Sequence, residues 1–130
     1  MEHIQLHITD ALSQGAVDAT PESPTLNALP SNGSFITPRI LTNVTHNMLV
    51  MRDETFGPII PIMKVSSDEE VVALMNDSEY GLTASVWTKD IQRGEALIEQ
   101  IEAGTVFLNR CDYPSPVLAS VHCFAMESSC

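Results

Sequence analysis

The sequence predicts an α/β fold, and three observations carry that prediction. Short apolar, β-rich runs (Ile59 to Val65, Ala84 to Thr88, Thr105 to Leu108) alternate with two amphipathic helical segments. Both helical segments open on a capping residue, Ser67 for the first and Asp90 for the second. The resulting order of strand, helix, strand, helix, strand is that of right-handed βαβ units on a parallel sheet, where each crossover must be long enough to hold a helix.

Taken in order, the chain opens on a stripe at Ile4, Ile8, Ala11 and Leu12, the pattern of an amphipathic helix over His3 to Gln14. Gly15 stands where a C-terminal cap belongs. His3 and His7 are four apart on that helix, a spacing that can hold a metal, but no third ligand accompanies them and a solvated face is expected. Thr20 to Ser34, with Pro21, Pro24, Pro30, Asn32 and Gly33, reads as a loop. Phe35 to Leu41 is β-like, and Pro38 places it at an edge or a strand start. Asn43-Val44-Thr45 has the form of a glycosylation acceptor, read as chance because no secretory signal accompanies it.

Val44 to Glu54 is mixed, with room for one irregular helical turn, and Pro61 marks Ile59 to Val65 as an irregular or edge strand. Ser67-Asp68-Glu69-Glu70 has the form of a capping box, Glu70 reaching back to the Ser67 amide. Val71, Val72, Leu74 and Met75 supply the apolar face of its helix, which ends at Asn76-Asp77-Ser78. After the next strand, Leu97, Ile98 and Ile101 face inward from the helix that Asp90 caps, and Gly104 ends it. No internal repeat is visible.

Composition narrows the function classes. A chain of 130 residues has room for one domain. The net charge of −11 and the scatter of Arg39, Arg52, Lys64, Lys89, Arg93 and Arg110 exclude nucleic acid as the expected partner. No apolar run approaches the roughly 20 residues that span a bilayer, so no membrane association is expected. A cytoplasmic location is the default, with a mitochondrial one left open. Cys111, Cys123 and Cys130 fit no CxxC spacing and read as free thiols of a reducing compartment.

Four blocks go beyond pattern. Glu54-Thr55-Phe56-Gly57-Pro58 resembles the E-x-F-G-P motif of the aldehyde dehydrogenase superfamily. Asn76 to Leu82 is similar to its N-x-x-x-Y-G-L segment, Glu102 to Asn109 to its E-A-G-x-V-x-x-N strand, and Gly33 to Pro38 to its G-x-F-x-x-P. The blocks stand in family order and at family spacing, and Ala11 to Ala16 suits the A-x-x-x-G-A stretch of the first helix. The resemblance implies a partial three-layer parallel sheet with flanking helices. It divides the chain into a partial catalytic domain over residues 1–113 and a divergent, glycine-free tail over 114–130, expected to be disordered.

The resemblance also implies roles. Glu54 would hydrogen-bond the hydroxyls of the nicotinamide ribose of NAD or NADP, since a carboxylate accepts from two vicinal hydroxyls at once. Phe56 would pack beside the nicotinamide, while Gly57 and Pro58 turn the chain into the next strand. Tyr80, Gly81 and Leu82 are read as structural: Gly81 allows a turn and its neighbours pack near it. Asn109 would tie down the next loop.

The family's chemistry is nucleophilic: a thiolate attacks the aldehyde, hydride passes to NAD(P)+, and a glutamate-activated water hydrolyses the thioester. The nucleophile stands in a G-Q-x-C context far upstream of the E-x-F-G-P motif, so no catalytic residue is expected here. Cys111 and Cys123 lack that context, and His122 is badly placed to deprotonate its neighbour. The expectation is a fragment or truncated isoform of an NAD(P)-dependent aldehyde dehydrogenase, inactive alone. Two other readings stay open: a non-catalytic protein that pairs with full-length subunits, and a mis-spliced product without function.

Overall fold

The computed structural model describes residues 2–22 and 35–111. It divides into two compact units, Met1–Lys64 and Val65–Cys130. Most of the expected loop over Thr20 to Ser34, the tail over 114–130, and Cys123 and Cys130 lie outside the described residues.

The first unit comprises helix α1 (Glu2–Ser13), strands β1 (Val17–Asp18) and β2 (Arg39–Thr42), the short helix α2 (Leu49–Arg52) and strand β3 (Ile59–Ile62). Its sheet has the order β1-β2-β3. β2 and β3 run parallel in the register Arg39↔Ile59 to Thr42↔Ile62, and β1 joins antiparallel through Val17↔Thr42. Ala11, Ala16, Leu41, Val44, Met48 and Val50 form the core. α1 stops where expected: Gly15 adopts φ +100°, and the Ala16 amide donates to the Ala11 carbonyl at 2.9 Å.

Two side chains of α1 depart from expectation. Leu12 is 42% exposed, and His7, expected on a solvated face, is fully buried. His7 sits three residues after Ile4 and four before Ala11, squarely in the buried stripe. α2 lacks a cap of its own, because its N-cap residue is Met48. Asp10 of α1 substitutes, its carboxylate accepting from the Leu49 amide at 2.9 Å. Asn43 adopts the left-handed φ of 56° and its side-chain amide donates to the Gly15 carbonyl at 3.0 Å, so the nitrogen of that sequon is already engaged. Asp18 accepts from the Thr20 amide and hydroxyl and pairs with Arg39 at 2.5 Å. The two Thr20 hydrogen bonds, then Arg39, hold its carboxyl below the usual carboxylate range.

The second unit holds α3 (Asp68–Asn76), β4 (Thr83–Val86), α4 (Ile91–Ile98) and β5 (Thr105–Leu108). β4 and β5 pair in parallel, from Thr83↔Thr105 to Val86↔Leu108, with α4 as their crossover. The α/β class holds; among the described residues β4–α4–β5 is the expected parallel unit, whereas β3 pairs with β2 in a separate sheet that β1 joins antiparallel. Ser67 caps α3, accepting from the Glu70 amide at 3.1 Å. The Glu70 carboxylate accepts from the Ser66 amide at 2.7 Å and the Ser66 hydroxyl at 2.5 Å, one residue before the Ser67 amide expected, and these bonds to Ser66 draw its pKa down. Asp90 caps α4 from the Arg93 amide at 3.1 Å. Asn109, at φ 54°, clamps Thr88 from both sides: it accepts from the Thr88 amide and donates to its carbonyl, each at 2.8 Å. The loop it ties down is therefore the one before α4, not the next loop along the chain as expected.

Tyr80 and Leu82 do not pack as expected; they are 53% and 85% exposed. Gly81 is needed for close approach rather than for a turn, since a Cβ there would lie 2.9 Å from the Glu102 carbonyl oxygen. No helix among the described residues is long and apolar enough to cross a membrane. Gly81→Ala should lower unfolding free energy by about 1–3 kcal/mol, because the obstacle is backbone and cannot rotate away. A urea titration checks this, and an unchanged midpoint contradicts it.

Candidate functional site

The segment Asp53 to Pro58 joins α2 to β3, and its conformation is set locally at both ends. Asp53 leaves the helix in an extended conformation, with its amide donating to the Leu49 carbonyl at 2.9 Å. Further on, the Gly57 amide donates to the Thr55 carbonyl at 2.9 Å and the Ile59 amide to that of Gly57 at 2.8 Å. The Pro58 carbonyl accepts from the Arg39 amide at 2.9 Å, which locks the loop's exit to the start of the β2–β3 pair.

Helix α1 fastens the middle of the loop at three positions, Glu54, Thr55 and Gly57. His3 Nε2 donates to the Glu54 carbonyl at 3.3 Å. His7 Nδ1 meets the Thr55 hydroxyl at 2.5 Å. Ile4 packs so tightly on Gly57 that a Cβ there would come within 2.8 Å of Ile4 Cγ1, so the Ile4 side chain would have to shift to admit one. The side chains of Glu54 and Phe56 are left exposed, Phe56 at 87%. A phenylalanine so open on a loop so constrained contributes nothing to the core that holds it.

The electrostatics centre on His7. Its Nε2 is buried without a hydrogen-bond partner and lies 3.9 Å from Asp53 Oδ2, while its ring contacts that of His3 at a centroid distance of 4.1 Å. Burial pushes the imidazole pKa below its usual value, His3 adds to that, and Asp53 and Asp10 oppose it. Among the described residues no group of three His, Cys, Asp or Glu is arranged to hold a metal. Glu54 and Phe56, the two residues singled out from the sequence, thus share one anchored loop. His7, which the sequence reading left aside, is its main fastening; the signal was its position in the stripe between Ile4 and Ala11.

Comparison with known proteins shows the family. The sequence profile of the aldehyde dehydrogenase family matches residues 1–120. The chain belongs to the aldehyde dehydrogenase family. It is similar to 4,4'-diapolycopene aldehyde oxidase of Methylomonas sp, 41% identical over 106 residues covering 82% of this chain and 19% of that protein. It also resembles betaine aldehyde dehydrogenase of Brucella anthropi, 48% identical over 77 residues, 59% of this chain and 16% of the relative. Among solved structures, the NADP-dependent glyceraldehyde-3-phosphate dehydrogenase of Bacillus halodurans complexed with NADP superposes with a TM-score of 0.76 at 36% identity, over 88% of this chain and 23% of that one. The aldehyde dehydrogenase of Mycobacterium tuberculosis complexed with NAD+ gives a TM-score of 0.74 at 31% identity, over 86% and 23%. The chain therefore spans about a fifth of the length of its aldehyde dehydrogenase relatives.

The buried imidazole gives a signed pH dependence. The folded pKa of His7 lies below the unfolded value of 6.5, so the unfolded chain takes up this proton first. The contribution to stability is complete above pH 6.5 and is lost as pH falls from there through the folded value. Denaturant midpoints measured from neutral pH down to the carboxylate range should decline over that window. His7→Asn should flatten this component; an equally steep decline in the variant would contradict the assignment.

Proposed function

We propose that this chain forms part of the cofactor-facing side of an NAD(P)-dependent aldehyde dehydrogenase, whose reaction converts an aldehyde, NAD(P)+ and water to a carboxylic acid and NAD(P)H. The observation that carries the reading is the Asp53–Pro58 loop: its backbone is fastened by His3, His7 and Ile4, while Glu54 and Phe56 remain open to a ligand.

The donor set fits a nicotinamide nucleoside. Glu54 is exposed and, when ionised, accepts only, which suits two neighbouring ribose hydroxyls that each have a proton to give. Phe56, two residues on, offers an apolar face that excludes water from one side of a planar ring. Gly57 keeps the chain close to α1, so the loop holds one conformation and little ordering entropy is left for binding to overcome. When bound, the nicotinamide supplies the hydride acceptor. The thiol nucleophile and the general base are assigned outside this chain: Cys111, the one cysteine among the described residues, is an exposed free thiol outside the family's G-Q-x-C context.

Two outcomes follow. The purified 130-residue chain should produce no NADH from aldehydes, and reproducible turnover would overturn the assignment of the nucleophile elsewhere. In a chimera carrying this segment in place of the matching part of the Mycobacterium tuberculosis enzyme, Glu54→Gln should lower kcat/KM for the cofactor about 10- to 100-fold, the worth of a charged hydrogen bond. An unchanged kcat/KM would remove Glu54 from the ribose contact.

A further inference from the structure

The buried His7 does more than fill space in α1. Three of its features are unusual together. It is the one buried polar side chain in the core among the described residues, its Nδ1 contacts the Thr55 hydroxyl at 2.5 Å, and its Nε2 is sealed from solvent opposite Asp53 at 3.9 Å. A neutral imidazole carries one proton and offers one acceptor, and the surroundings select which nitrogen takes which role. A carboxylate opposite Nε2 favours N–H at that atom, leaving Nδ1 to accept from the Thr55 hydroxyl.

We propose that His7 is a positioning residue for the loop that presents Glu54 and Phe56: neutral, with its proton on Nε2, it accepts a hydrogen bond from Thr55 and so fixes the backbone from which both side chains project. What the loop binds rests on the reading above; the positioning itself rests on this geometry alone. Thr55 lies between Glu54 and Phe56 in sequence, so a bond to its side chain holds the backbone from which these two exposed neighbours project. His3 holds the Glu54 carbonyl on one side, and the Gly57–Ile4 contact holds the other. The charged and titratable groups facing the ring are His3 and Asp10 from α1 and Asp53 from the loop. Protonation of the ring would place N–H on both nitrogens, so Thr55 could no longer donate to Nδ1 and would have to turn its hydroxyl to accept instead.

Amide hydrogen exchange on the full 130-residue chain tests this, read at Gly57, whose amide bonds the Thr55 carbonyl, with Leu41 in β2 as the internal reference. Thr55→Val and His7→Leu should each speed exchange at Gly57 about tenfold, the equivalent of one hydrogen bond, with Leu41 unchanged. His7→Asn, whose amide can stand in for Nδ1, should restore wild-type exchange, as should Thr55→Ser. Nitrogen NMR of the His7 ring at neutral pH should show the Nε2–H tautomer. If His7→Leu fails to fold, Thr55→Val alone decides. Unchanged Gly57 exchange in Thr55→Val, or a proton on Nδ1, overturns the proposal. Loss of Glu54 from the ribose contact in the chimera would leave these readings intact, so the two ideas fail separately.

Discussion

The first unit depends on the contact between the buried face of α1 and the loop that follows α2. A stretch holding Gly57 and Pro58 with an outward Phe56 buries little of its own surface and cannot order itself. Its order is borrowed. Ile4, His7, Ile8 and Ala11 form the buried stripe of α1; Ala11 enters the core with Leu41 and Met48, and His7 and Ile4 press on the loop. Asp10 adds a second link by capping α2, which sets where that helix starts and thus where the loop departs from it. One helix face therefore determines the strand packing, the cap and the loop geometry at once. The polar member of that face is the costly one: an unsatisfied buried ring nitrogen costs about 1–3 kcal/mol. His7 accordingly holds its hydrogen bond to Thr55 on one side and turns the other nitrogen toward a carboxylate.

How much of this was legible depended on whether the cause was local. Ser67 and Asp90 act within four residues of themselves, and both caps form as read. Gly15 ends α1 for the same reason, and the parallel β4–α4–β5 unit follows from alternating periods in the chain. α2 was only half visible because its cap comes from Asp10, 39 residues earlier, while Met48 at the cap position offers nothing. β1 was missed because two residues, Val17 and Asp18, are too few for an alternating pattern. His7 was misread as solvated despite its place in the stripe, because the polar partner that a buried histidine needs, Thr55, lies 48 residues away. Tyr80 and Leu82 were expected to pack, yet the described residues offer no cover for them.

The site was legible in a different way. Composition and period do not distinguish Glu54 from any other surface acid; the motif did, through its family resemblance. The structure adds the physical reason such a motif can work, a backbone held from behind and two side chains left free in front. Leu82, Trp87 and Phe56 stand open in a chain about a fifth as long as its relatives. Glycine at position 81 lets one backbone approach another more closely than a Cβ allows, and glycine at position 57 leaves room for the Ile4 side chain.

The central claim is that the loop fastened by α1 presents Glu54 to the nicotinamide ribose. The most direct measurement is a crystal structure of the chimera described above with NAD+ bound. The account predicts the Glu54 carboxylate within hydrogen-bonding distance, about 2.5–3.0 Å, of both ribose hydroxyls, with the Phe56 ring alongside the nicotinamide and the Thr55 hydroxyl still on His7. A bound cofactor whose ribose is held by other groups, with Glu54 facing solvent, would contradict it.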